Sequence, residues 1–191
     1  MKEIEKYIES YLGIGGKDLS PVAALFKNTR LQKNDFLLKR GQYSQNMSFI
    51  KSGYLRMFAP DAKGDKEVTQ WISIEGMFIT DLSSFIFETP ARWNIQALSD
   101  CELYTITKAK YDTIGDYVNN WEKLDKLFIA KCFVTLENRV FSQLSMTAEE
   151  KVKNLLEINP TIFLQVPLQY IASMLGMTPE TLSRVRRKMI S

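Results

Sequence analysis

Histidine is absent from this 191-residue chain, and cysteine nearly so, with two copies. Without an imidazole, no Ser-His-Asp or Cys-His nucleophile pair, HExxH zinc site, two-His iron triad or His-ligated haem can be assembled. Cys101 and Cys132 stand 31 positions apart with no CxxC, too few thiolates for a four-Cys iron–sulfur cluster or a structural zinc. Both read as small buried hydrophobes of a reducing cytoplasm, with a redox role as the alternative. No catalytic residue, metal site, haem or iron–sulfur cluster is expected, and a small-molecule effector is left open.

Long apolar runs are missing too. Lys2, Glu3, Glu5, Lys6 and Glu9 interrupt the stretch where a signal peptide would need its apolar core. The stretch Ile158 to Pro179 has no charge over 22 residues, but Pro160 and Pro167 break it and Asn159, Gln165, Gln169 and Ser173 are polar. It reads as a packed segment, so the expectation is a cytoplasmic protein with no membrane partner.

Charge of either sign is in near balance except at one end. Lys and Arg number 25 against 22 Asp and Glu. Residues 180–191 hold Arg184, Arg186, Arg187 and Lys188 with one acid, Glu180, and the rest of the chain has 21 of each sign. The whole excess of +3 is therefore terminal. At 45 % apolar and 25 % charged, the composition is that of a folded chain of one or two domains.

Helical spacing marks about 1–27, through Ile4, Ile8, Tyr11 and Leu12, then Ser20 and Pro21 as a start signal before Val22, Leu25 and Phe26. Short runs rich in aromatic and branched residues follow: 36–38, 47–50, 54–58, 68–74, 95–98 and 103–106. Glycines punctuate them, and Pro60-Asp61 with Lys63-Gly64-Asp65 predicts a hairpin tip. Strands at this spacing predict a small antiparallel barrel or jelly roll.

A short helix over 108–114 and a long one from about Tyr117 to Ser145 come next. Apolar residues of the long helix cover more than one stripe. Trp121, Leu124, Phe128, Cys132, Leu136 and Val140 are the candidates for contact with a symmetry mate, the alternative being burial within a larger monomer. Thr147-Ala148-Glu149-Glu150 has the pattern of a capping box that starts the next helix.

Residues 168–189, LQYIASMLGMTPETLSRVRRKM, have helix-turn-helix spacing. Ala172 is small where two helices cross, Gly176 suits a left-handed turn, and Thr178-Pro179 opens the second helix. Leu182, Val185 and Met189 share one face of that helix, and Glu180, Thr181, Arg184, Arg187 and Lys188 the other. Arg184 suits guanine N7 and O6, and Glu180 suits cytosine N4. Thr178, Thr181, Arg187 and Lys188, with Gln169 on the first helix, complete the candidate DNA-binding set. A helical hairpin with a solvated basic end is the bland alternative.

This order of elements resembles the Crp/Fnr family of bacterial transcription regulators over nearly the whole chain. The segment LEINPTIFLQVPLQYIASMLGMTPETLSRVRRK is similar to a Bacteroidetes-type branch of it. The resemblance implies an α+β fold. Its parts would be a cyclic-nucleotide-binding-like roll with N-terminal helices over 1–116, a dimerisation helix over 117–146 and a winged helix-turn-helix over 147–191. It further implies a homodimer on double-stranded DNA with a palindromic operator, RNA polymerase as a candidate partner, and no enzymatic activity. Pro179 replaces an Arg that reads bases in the cyclic-AMP-responsive members, so the operator should differ from theirs.

Where those members carry Gly-Glu-Leu and then Arg-Ser, this chain has Thr80-Asp81-Leu82 and Arg92-Trp93; where they carry Thr-Ser on the long helix it has Thr135-Leu136. Thr80, Asp81, Leu82, Arg92, Trp93 and Thr135 form the candidate effector pocket, in which cyclic AMP is expected to bind weakly or not at all. A structural ion pair between Asp81 and Arg92 is the alternative reading. Two rival functions stand beside the regulator: a nucleotide- or small-molecule-binding module acting on a protein partner, and a cupin-like barrel enzyme, disfavoured by the missing His. Gly13 to Lys17 is a poor match to a phosphate loop, and Asp61, Asp65 and Glu67 read as a solvated hairpin tip with Lys63 and Lys66.

Overall fold

The strand-rich middle of the chain folds as two four-stranded antiparallel sheets in a computed structural model that describes residues 3–190, the side chain of Ile190 excepted; Lys2 lies outside the described residues. One sheet has the order β1 (Lys27–Leu31), β8 (Cys101–Thr107), β3 (Asn46–Ser52), β6 (Phe78–Ile79). The other has the order β2 (Phe36–Leu38), β7 (Asn94–Ala97), β4 (Leu55–Pro60), β5 (Glu67–Ser73). Ile50, Ile79 and Leu103 of the first meet Leu38, Leu55 and Ile95 of the second in a shared core. The hairpin tip forms as expected, with the Asp61 N–H donating to the Lys66 carbonyl at 2.8 Å. One turn admits only glycine: Gly53 has φ +96°, and a Cβ there would stand 2.5 Å from the Asp100 carbonyl oxygen.

The N-terminal segment is helical in pieces. α1 (Glu3–Tyr7) continues into a π-turn over Ile8–Leu12, and a 3₁₀ turn leads into α2 (Leu19–Ala23). Ile4, Ile8 and Leu12 bury against Met47, Phe49 and Phe128. α3 (Leu82–Phe87) sits between β6 and β7. The short helix expected over 108–114 is α4 (Lys108–Tyr111) followed by a 3₁₀ turn at Ile114–Asp116. The long helix α5 spans Trp121–Ser145, starting later than expected because Asn120 is left-handed, φ 64°.

Four helices complete the chain: α6 (Ala148–Ile158), α7 (Ile162–Gln165), α8 (Leu168–Leu175) and α9 (Pro179–Ile190). Both halves of the capping box are made. The Thr147 N–H donates to Glu150 Oε2 at 2.8 Å, and the Glu150 N–H to Thr147 Oγ1 at 3.3 Å. Gly176, at φ +70°, ends α8 in a Schellman turn, its N–H on the Ser173 carbonyl and the Met177 N–H on that of Ala172. Ile171, Ala172, Leu182 and Val185 fill the angle between α8 and α9. This part is helical throughout its described residues, so strands of a wing are not among them.

A polar latch fixes these helices to the roll. β5 is the outer strand of its sheet, and its exposed side is taken up by α8, with the Thr69 N–H donating to Ser173 Oγ at 2.9 Å. Arg56 of β4 is 1 % exposed. Its guanidinium lies between the rings of Phe58 at 4.0 Å and Tyr170 of α8 at 3.8 Å. It donates to Thr69 Oγ1 at 2.9 Å and to Glu67 Oε2 at 2.6 Å. Ring faces, a hydroxyl and a carboxylate together offset the cost of burying that charge. Glu67, expected on a solvated tip, is thus the counter-ion of a buried cation.

Candidate functional site

A cavity of about 590 Å³ opens between β4, β5, the β6–α3 turn and α5. Of the candidate pocket residues, Thr80, Asp81, Leu82, Trp93 and Thr135 line it, and Arg92 does not. Asp81 is 3 % exposed. Its carboxylate caps α3 by accepting from the Ser84 N–H at 3.1 Å, and also accepts the N–H groups of Arg92 at 2.9 Å and Trp93 at 3.3 Å. The ion pair weighed above is therefore not made. The Asp81 carboxylate binds the backbone at residue 92, while the exposed Arg92 guanidinium lies over its neighbour Trp93, 5.0 Å from the ring centre. The reason is local: the chain before β7 passes close enough to bring two amides, rather than a long side chain, to the carboxylate.

The hydroxyls of the pocket are also partnered. Thr80 donates to the Asn46 carbonyl at 2.9 Å, and Thr135 to the Lys131 carbonyl at 2.8 Å. Tyr11, Met57, Trp71, Met77 and Phe78 line the cavity without having been singled out in the sequence. Their only signal was membership of apolar runs, which does not separate a cavity wall from a core.

α5 corrects another expectation. Trp121, Leu124, Phe128 and Cys132, candidates for a helix–helix seam, pack on the roll and the N-terminal helices instead. The Phe78–Phe128 ring centres are 5.1 Å apart and those of Tyr111 and Trp121 are 5.4 Å apart. Phe128, Cys132 and Leu136 line the cavity. Burial pushes the Cys132 thiol up to about 11. Leu136 and Val140 are exposed, together with Phe133 at 65 %, Phe141 at 69 % and Leu144 at 83 %. Leu136 is on the cavity side, whereas Phe133, Phe141 and Leu144 point away from the roll. Farther along, Arg139 stacks on Trp71 at 4.4 Å and donates to the Met174 carbonyl of α8 at 3.4 Å; burial lowers its pKa to about 10.

At α9, Leu182 and Val185 are buried and Glu180, Arg184, Arg187 and Lys188 are exposed, as the 100° periodicity requires, but Met189, expected on the packed face, is exposed near the helix end. Gln169 and Thr178 are exposed and Thr181 is half-buried. The Thr181 N–H donates to Thr178 Oγ1 at 3.2 Å, which caps the helix. The charged members Glu180 and Lys188 also have partners within the chain. The Glu180 carboxyl is held below the usual carboxylate range by its own N–H and by the Thr178 hydroxyl. Lys188 Nζ meets Glu149 Oε1 at 2.6 Å. Arg186, on the flank, lies over the Phe163 ring at 4.3 Å. Among the described residues, no group of three or more His, Cys, Asp or Glu is placed to hold a metal ion, and no helix is long and apolar enough to cross a membrane.

An antiparallel roll, a long helix and a terminal helix-turn-helix follow one another here as in the fold of Crp/Fnr regulators. Residues 28–116 match the cyclic nucleotide-binding domain family. Among solved structures, FixK2 from Bradyrhizobium japonicum is similar at a TM-score of 0.72 and 15 % identity, covering 86 % of this chain and 84 % of its own. A regulator assigned to the Crp/Fnr family from Eubacterium rectale is similar at 0.69 and 16 %, over 96 % and 87 %. The catabolite activator protein of Thermus thermophilus is similar at 0.58 and 17 %, over 93 % and 84 %. No curated protein matches the sequence. The likeness reaches the Crp/Fnr fold and does not extend to one branch of it.

Proposed function

We propose that the protein is a cytoplasmic, sequence-specific DNA-binding regulator that acts as a homodimer on a palindromic site and catalyses no reaction. The observation that carries this is the outer face of α9: Arg184 and Arg187 exposed on a helix whose other face is buried, after a Schellman turn that sets its angle. Arg184 would read a base edge, while Arg187, Thr178 and Gln169 would hold phosphates. Glu180 would give up its capping bonds, and Lys188 its pairing with Glu149, to meet DNA. The exposed apolar face of α5, with Phe133, Phe141 and Leu144, would be covered by a second copy, presenting two α9 helices on one side.

The roll would take a small-molecule effector that shifts the population of two arrangements. Trp71 supports a short route for this, since it lines the cavity and carries Arg139, which holds the end of α8. Residues 1–116, 117–146 and 147–191 would then be sensor, dimerisation helix and DNA-binding part.

Selection of duplex sites from a random pool, followed by affinity measurement at rising salt, tests the reading. Enrichment of an inverted repeat and a steep fall in affinity with salt are expected. Flat salt dependence and no enriched sequence would overturn it.

A further inference from the structure

We propose that the roll cavity takes an uncharged, flat, apolar molecule, and that Asp81 serves as a built-in anion that turns phosphorylated ligands away. This rests on the reading of the roll as the effector-binding part and names the class of ligand. Backbone N–H groups converging at the start of a helix and the neighbouring loop make a cradle for anions. Here the cradle exists and is full. The N–H groups of Ser84, Arg92 and Trp93 all end on the Asp81 carboxylate, inside the wall of the cavity.

A phosphate arriving there would find its donors taken and a buried negative charge in its place. Among the described residues, no Lys or Arg forms an ion pair with the Asp81 carboxylate. The Arg92 guanidinium is exposed beside Trp93, outside the lining. Lys131, the basic residue of the lining, is exposed and donates to the Ser10 carbonyl at 3.5 Å. Thr80 and Thr135 have donated their hydroxyl protons to carbonyls of the protein. Gln70, Ser73 and Ser83 also line the cavity, but most of its wall is apolar, with ring and thioether surface from Trp71, Phe78, Trp93, Met57 and Met77. Such walls reward planar apolar area far more than a charged group.

Two probes that share a ring skeleton test this on the full chain: neutral N-phenyl-1-naphthylamine and its sulfonated counterpart 1-anilinonaphthalene-8-sulfonate, with cyclic AMP as competitor. The neutral probe is expected to bind at least about tenfold more tightly than the sulfonate, and cyclic AMP at millimolar concentration to leave it bound. Leu136→Trp and Met57→Trp fill the cavity and should each weaken the neutral probe by about tenfold or more with the circular dichroism unchanged, which separates the cavity from the apolar outer face of α5. Asp81→Ser opens the cradle and should raise cyclic AMP affinity by at least about tenfold. Should that variant fail to fold, Asp81→Asn keeps an acceptor for the amides without the charge, and the preference for the neutral probe over the sulfonate should shrink.

Cyclic AMP binding to the unaltered protein as tightly as the neutral probe would overturn the proposal, as would probe affinity unmoved by both filling variants. Neither result depends on DNA. Affinity for selected duplexes, measured in parallel, shows whether the regulator reading survives a failure of the ligand class.

Discussion

The two sides of α5 carry similar side chains and meet different surroundings. Toward the roll, Phe128 is 1 % exposed, its ring edge against Phe78. On the opposite side, Phe133 and Phe141 are exposed and Leu144 more so. The difference teaches that apolar content along a helix reports how many surfaces it serves, while only the packed structure reports which residue serves which. A helix of 25 residues that is apolar on both sides buries one side within the chain, and the proposed dimer would cover the other.

The contrast can be broken at its inner side first. Phe128→Ala should cost about 3–5 kcal/mol of stability in urea denaturation, since the removed ring leaves a cavity among Phe78, Cys132 and the N-terminal helices. A cost below about 1 kcal/mol would mean that the inner side is not packed as described. Chemistry sharpens the same point. With the Cys132 thiol pushed from its ordinary 9.0 to about 11, iodoacetamide at pH 8 should label it about a hundredfold more slowly than in the urea-unfolded chain. The rate should climb as pH rises toward 11, because a raised thiol pKa keeps the unreactive protonated form up to that pH. Peptide mapping by mass spectrometry distinguishes Cys132 from Cys101, and equal labelling in folded and unfolded chains would contradict its burial.

The outer side should behave in the reverse way. Phe141→Lys is expected to change the stability of a single folded chain by no more than about 0.5 kcal/mol. In sedimentation it should weaken self-association by at least about tenfold. An unchanged association constant would remove α5 from the proposed dimer. The smallest effect is expected where α5 touches α8. Arg139→Lys loses the planar stack on Trp71 and the bond to the Met174 carbonyl, at about 1 kcal/mol, and should change tryptophan emission with little loss of fold.

Features decided by neighbouring residues were legible in the sequence. The Thr147 capping box, the Gly176 turn, the Thr178 cap and the buried face of α9 each depend on residues within a few positions of one another. The roll was legible as a class through its runs of branched and aromatic residues. β1 was not, because Lys27–Leu31 alternates polar residues at a sheet edge, and β6 is only two residues long. The side of α5 that meets the roll was hidden by apolar residues on both sides. The partners of Asp81 were hidden because backbone amides carry no sequence signature. The Arg56 latch joins β4 to Tyr170 of α8, and nothing in either local sequence announces the other.

That the helix-turn-helix covers β5 has a consequence for how the protein keeps apart from other molecules. The Ser173 hydroxyl meets an amide of a strand that would otherwise present a ragged border to any extended peptide. Detaching the C-terminal helices, by proteolysis or by a wide swing, would bare that border and tip the remainder toward clumping through shared strands. The C-terminal helices would thus double as the roll's guard against precipitation.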